Sequence, residues 1–172
     1  MPSGDFVRCS GFSFGFESSR MTFRFATLED CRLLAEMNHL FLQDEQHRNR
    51  LLTLPQLEER MRGFLSGEYR GVIFEDDGTI VAYAVYREHP EEIYLRQFFV
   101  VREQRRRGHG RRAMEILRTD IWPKNRRLTV HVLLHNTNAI AFWRAVGYQD
   151  YLLGLEIPVA SVAMQSGDSV AC

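Results

Sequence analysis

The stretch from Tyr69 to Val101, YRGVIFEDDGTIVAYAVYREHPEEIYLRQFFVV, restricts the fold more than any other part of the chain. Two apolar, β-rich runs flank Asp77-Gly78. Asp-Gly in that setting is a strong two-residue hairpin signal, because both turn positions need a positive φ that these residues tolerate. The third run, EEIYLRQFFVV, is nearly continuous in apolar residues and predicts a strand central in its sheet.

The flanking segments add helices and further strands. MTFRFA, from Met21, alternates as a short strand does. Thr27, with Asp30 three residues on, forms a capping box for a helix whose Leu33, Leu34, Met37, Leu40 and Phe41 recur at helical spacing. A second helix is predicted from about Pro55, with Leu57, Met61, Phe64 and Leu65 apolar and Gly67 ending it. RRAMEILRTDIW predicts a third, with Ala113, Ile116 and Leu117 inward; RRLTVHVLL is a strand, NTNAIAFWRAV a helix closed by Gly147, and YQDYLLGLEI a last strand. The order β-α-α-β-β-β-α-β-α-β describes one α+β domain over residues 21–157. Residues 1–20, rich in Gly, Ser and Phe and without period, are expected to be a disordered extension, and residues 158–172 a flexible tail.

Charge narrows the function. Lys plus Arg and Asp plus Glu each number 22, and a neutral balance disfavours a general nucleic-acid or membrane-surface binder. The three cysteines, Cys9, Cys31 and Cys172, are far apart and form no C-x-x-C pair. Neither a disulfide framework nor a metal site is suggested, and a reducing cytoplasm is the simplest setting. No apolar run approaches the roughly 20 residues of a membrane helix.

Against that neutral background EQRRRGHGRR, Glu103 to Arg112, concentrates cations at the junction between the central strand and the third helix. The first N–H groups of a helix lack internal partners and the dipole adds positive potential there, so such an end suits an anion. Gly108 and Gly110 leave the backbone open to close approach, and Arg105, Arg106, Arg107, Arg111 and Arg112 raise the potential. The segment suits a pyrophosphate; a solvated basic turn and a nucleic-acid patch are the alternatives. It is neither a P-loop, for want of Gly-Lys-Ser/Thr, nor a complete dinucleotide fingerprint.

FVVREQRRRGHGRRAMEIL resembles the acyl-CoA signature of the GNAT acetyltransferase superfamily, Arg/Gln-x-x-Gly-x-Gly/Ala, with Arg105, Gly108 and Gly110 at the defining positions. Downstream, Asn136, Ala139, Phe142-Trp143 and Gly147-Tyr148 match the superfamily's second motif in order and offset. The resemblance implies a GNAT-like α+β fold, a mixed central sheet with splayed strands flanked by about four helices. It implies acetyl-CoA as co-substrate, with no metal. The backbone amides from Arg105 through Arg106, Arg107, Gly108 and His109 to Gly110, with Arg111, would hold the pyrophosphate. The strand edge from Phe98 to Val100 would pair with the pantetheine, and the N–H of Phe99 or Val100 would polarise the thioester carbonyl. Asn136 would contact the pantetheine arm, with Ala139 and Trp143 beside it.

Acetyl transfer to an amine needs a neutral nucleophile and a stabilised oxyanion. Many relatives protonate the leaving thiolate with a Tyr where this chain has Trp143, whose indole N–H donates a hydrogen bond but is no acid. Tyr148 and Tyr151 are other donors, and water is another. Glu92, opening the central strand, is the candidate base. The junction QDEQHRN places Asp44, Glu45, His47 and Arg48 where relatives line the acceptor groove, its carboxylates suiting a cationic amine. Arg96 and Gln97 are the unusual polar residues of the central strand, with a carboxylate of that junction as the expected partner.

The expected activity is transfer of acetyl from acetyl-CoA to a primary amine, by direct attack because no cysteine lies in either motif. A small-molecule acceptor is the first expectation and a protein N-terminus or lysine the second. A CoA-binding protein without turnover, motivated by Trp143, and a nucleic-acid module are the rivals. No nucleic-acid or membrane partner is expected, and a homodimer exchanging the last strand is an open arrangement.

Overall fold

The computed structural model describes residues 21–47 and 51–155. The expected extension and tail, and Arg48, lie outside the described residues. Strands β1 (Thr22–Phe25), β2 (Tyr69–Asp76), β3 (Thr79–Glu88), β4 (Glu92–Val100) and β5 (Arg127–Val130) form one sheet in that spatial order. The first four pair antiparallel and β5 joins β4 in parallel. Helices α1 (Cys31–Asp44) and α2 (Leu54–Ser66) connect β1 to β2; α3 (His109–Ile116) and α4 (Thr137–Ala145) flank β5 in sequence.

Local chemistry accounts for most boundaries. Asp77 and Gly78 turn β2 into β3 with φ of 49° and 72°, the backbone of a type I′ turn. The Asp30 carboxylate accepts from the Thr27 N–H at 2.8 Å, starting the single 3₁₀ turn that leads into α1. Gln56 does the same for Thr53 ahead of α2, at 2.8 Å. The third helix is shorter than expected: α3 relaxes at Leu117 into a π-helical turn that ends at Ile121.

The core lies on both faces of the sheet. Ala82, Ala84 and Tyr86 of β3 face one cluster with Ala113, Met114, Leu117 and Trp143. Tyr83 and Val85 face the other, with Leu34, Met37 and Met61 of α1 and α2.

Two strand expectations are corrected. RRLTVHVLL supplies a strand only over Arg127–Val130, because its partner parts from it beyond that point. No strand forms between Tyr148 and Leu155; Tyr151, Leu152 and Leu155 are instead largely solvent-exposed. A run of consecutive apolar residues names no inward face, so it does not specify a register.

Candidate active site

The pairing of β4 with β5 ends at Leu95↔Val130, while β4 continues to Val100. The cause is in β4. Across β3, Leu95 faces Tyr86 and Gln97 faces Val85, so Arg96 is an extra, bulged residue. The bulge changes side-chain parity: Ile93 and Leu95 share the cluster that Phe98 and Val100 pack against, whereas Phe99 lies in the α1–α2 cluster.

The register also decides which amides face the opening. Val101 N–H donates to Val81 at 2.9 Å. Hydrogen-bonded pairs alternate in an antiparallel ladder, so Phe99 bonds toward β3 while Phe98 and Val100 direct N–H and C=O away from it. The Val100 carbonyl confirms this by accepting from Arg105 Nε at 2.9 Å. Of the two amides expected to meet the thioester, that of Phe99 is excluded by geometry and that of Val100 lies on the open edge, with that of Phe98.

Just past β4 the chain enters α3. Gly108 is its N-cap, with φ of 86° and no side chain capping the helix. Arg106 also has a left-handed φ, 63°. Arg106, Arg107 and Arg111 are exposed, and among the described residues no carboxylate pairs with them. Arg107 donates only to Gln104, at 3.3 Å. Two members of the expected cradle turn their side chains elsewhere. His109 is buried, its Nδ1 3.8 Å from the Asp76 carboxylate. Arg105 bonds Val100 and Asp44 and lies over the Phe99 ring. Only their backbones face the helix mouth.

Gly110 has a different reason from the one expected. A Cβ there would sit 3.2 Å from Phe142 and 3.4 Å from Val100. The second glycine admits the helix onto β4 and α4. Gly108 has open space around its Cβ position and is needed for its φ.

The end of α1 closes the mouth. Asp44 is held by Arg102 and Arg105, so it latches α1 to the β4–α3 loop and is not a free carboxylate for an amine. Burial opposes its charge, but the two guanidiniums win and hold its carboxyl below the usual range. Glu45 is different. Its carboxylate accepts from Asn136 Nδ2 at 3.3 Å, and its carbonyl accepts from His135 Nε2 at 2.8 Å. Burial raises its pKa, against the hydrogen bond from Asn136. Asn136 also caps α4, accepting from the Ala139 N–H at 3.0 Å. His47 lies two residues beyond Glu45, its N–H bonded to the Leu42 carbonyl.

Other expected residues fall outside this mouth. Glu92 pairs with Arg127 at 2.8 Å on the first rung of the parallel ladder. Six residues of strand separate it from Phe98, about 20 Å, so it is not in reach of a carbonyl held there. Trp143 is buried with its ring 5.6 Å from Phe98 and 5.1 Å from Phe142. Tyr148 packs on Trp143 at 5.1 Å; its hydroxyl is buried without a partner among the described residues, and burial pushes it up to about 12. Among the described residues no carboxylate of the α1–α2 junction pairs with Arg96, which stacks over Phe64 at 4.8 Å. Gln97 accepts from Tyr83, which accepts from Asn38, each at 3.3 Å. Sequence reasoning missed the bulge and the Glu45–Asn136 contact. An Arg inside the apolar run of β4 was the signal for the bulge.

An open strand edge running into an uncapped, cation-rich helix is the arrangement the two motifs imply, and residues 34–148 match the Acetyltransferase (GNAT) family. The chain belongs to the GNAT acetyltransferase family. By that membership it is an N-acetyltransferase, and the mixed five-stranded sheet with four helices is the expected GNAT fold. Solved acetyltransferase structures are similar over most of the chain. A possible acetyltransferase from Clostridium difficile 630 superposes with a TM-score of 0.67 at 17% identity, covering 81% of this chain and 97% of that one. The aminoglycoside N-acetyltransferase AAC(6')-Iy in complex with CoA gives 0.64 at 13% identity, over 83% and 97%. A predicted acetyltransferase with acetyl-CoA from Clostridium acetobutylicum gives 0.62 at 18%, over 81% and 96%. No curated protein matches the chain. Among the described residues no helix is long and apolar enough to cross a membrane, and no group of side chains could hold a metal ion.

Proposed function

We propose that the chain transfers acetyl from acetyl-CoA to a primary amine by direct attack. The observation that carries this is the continuity of the open β4 edge with the uncapped α3. The N–H groups opening α3, with Arg106, Arg107 and Arg111, suit the pyrophosphate. The outward groups of Phe98 and Val100 suit an extended, amide-bearing arm laid along them as an added strand. Acetyl-CoA supplies the acetyl group in activated form, as a thioester.

The residues then divide the work. The Val100 N–H, whose carbonyl is already bonded to Arg105, is free to stabilise the developing oxyanion. Glu45, half-buried with a raised pKa, accepts the proton of the incoming ammonium. The C–N bond forms, the C–S bond breaks, and the second amine proton leaves with the thiolate or to water. Tyr148 keeps its proton across the working pH range and serves at most as a hydrogen-bond donor.

The test uses Gly108, where added side chains meet open space. Asn and Asp both tolerate a left-handed φ, so Gly108→Asn and Gly108→Asp differ chiefly in charge. Calorimetry should find CoA binding little changed in the Asn variant and about tenfold weaker in the Asp variant, a helix-terminus charge effect. Equal CoA affinity in both would remove the phosphate cradle. Tight CoA binding without thiol release across a panel of amines would instead mark a CoA-binding protein without turnover.

A further inference from the structure

Between α2 and the first half of β4 lies a cluster that the transfer chemistry leaves unused. Arg96 sits over the rings of Phe64 and Tyr69, at 4.8 and 5.6 Å. Arg87 sits over Tyr69 and Tyr94, at 5.6 and 5.3 Å. Arg60 sits over Phe64 at 5.4 Å. All three arginines are half-buried.

Each keeps one buried donor unsatisfied, and Arg96 hydrogen-bonds the Tyr94 hydroxyl with another. Nη1 of Arg60, Nε of Arg87 and Nε of Arg96 are buried with no hydrogen-bond partner among the described residues. Their charge is not balanced either. The one ion pair that the three make among the described residues is with Glu68, 3.8 Å from Arg87 and 74% exposed. Arg60 and Arg96 have none. Burying a guanidinium costs free energy unless an anion or acceptor meets it, and its forked donors match carboxylate and phosphate oxygens. A cation surplus walled by aromatic rings is uncommon in a chain whose charges cancel overall.

The location joins this cluster to the proposed reaction. Arg96 is the bulged residue, one beyond the last β4–β5 rung and two before Phe98, about 7 Å along the strand. Tyr94 reaches across the parting strands to His131, 3.2 Å from hydroxyl to Nδ1. An acceptor held against these arginines has its amine within a few bonds of the open edge.

We infer that the arginine–aromatic cluster is a subsite for an oxyanion on the acceptor, so that the preferred substrate is a small primary amine carrying a carboxylate or phosphate. This rests on the acetyltransferase reading. It differs from the expectation of a groove that selects cationic amines through carboxylates, of which Asp44 is already paired and Glu45 serves the reacting amine.

CoA affinity, measured first by calorimetry, tests the reading beneath this one. The CoA-loaded protein is then titrated with four short primary amines: β-alanine, phosphoethanolamine, propylamine and 1,3-diaminopropane. Thiol release from acetyl-CoA gives kcat/KM for the same four. The two anionic amines should bind at least about tenfold more tightly than propylamine, with the diamine weakest, as expected for charge-assisted bonds. Their relative rank separates carboxylate from phosphate. Arg60→Gln and Arg96→Gln should each remove about tenfold of that preference with CoA affinity unchanged, and Arg96→Lys should restore part of it. Equal or tighter binding of propylamine or the diamine, binding of no amine in the panel, or an unchanged preference in both Gln variants would overturn the inference.

Discussion

The ring of Phe142 lies 3.2 Å from the point where Gly110 would carry a Cβ, so the two signature motifs of the chain meet in one contact. Gly110→Ala should therefore destabilise the fold by overpacking, by about 1–2 kcal/mol. Combining it with Phe142→Leu should recover part of that loss. A double-mutant cycle in urea measures the coupling; strict additivity would show that the ring does not set the limit.

Glu45 gives a prediction with two signs. Burial raises its folded pKa, so its contribution to stability is complete below the unfolded value near ~4.3 and is lost as pH rises through the folded one. Glu45→Gln should leave the protein slightly more stable at neutral pH, by no more than about 1 kcal/mol after solvent screening. As the proposed proton acceptor it works only when ionised. The variant should lose about 100-fold or more in kcat and the acidic limb of the pH–rate profile. Loss of activity with that limb intact would assign Glu45 a structural role.

Arg24 grips both oxygens of Asp30, at 2.9 and 2.8 Å, and holds its carboxyl at about 2. The stabilisation is present above the unfolded carboxylate value of about 3.9 and is lost as pH falls through the folded one. Asp30→Asn should cost about 1 kcal/mol at pH 7, given that Arg24 is 44% exposed, and almost nothing near pH 2. Thermal unfolding across that range reads the difference; a cost independent of pH would credit the cap rather than the ion pair.

Deleting Arg96 removes the bulge yet returns Gln97 and Phe98 to the faces they already occupy, since the extra residue is what breaks the alternation. The deletion variant should fold, extend the β4–β5 ladder and lose CoA binding. Hydrogen exchange at Phe98 and Val100 measures it: protection that does not rise on deletion would show that something else parts the strands.

Local chemistry made much of this protein legible. The Asp77-Gly78 hairpin, the box at Thr27, the order of strands and helices as far as α4, and the anion-ready mouth of α3 are properties of near neighbours in the chain. Other features were legible only in kind. Polar residues at the end of α1 promised a site, but nothing near them distinguished Asp44, tied to Arg105, from Glu45, open to Asn136.

The sequence by itself determined the elements from β1 to α4, their order and the family signature, because propensity, capping and turn geometry act over a few residues. Tertiary structure decided which amides face the cleft, which carboxylate is spent in a latch, and why Gly110 must be glycine. Those outcomes depend on partners brought together by the sheet, such as Glu45 with Asn136, 91 residues apart. Charge pairing and close packing follow distance in space, and only the folded sheet sets that distance.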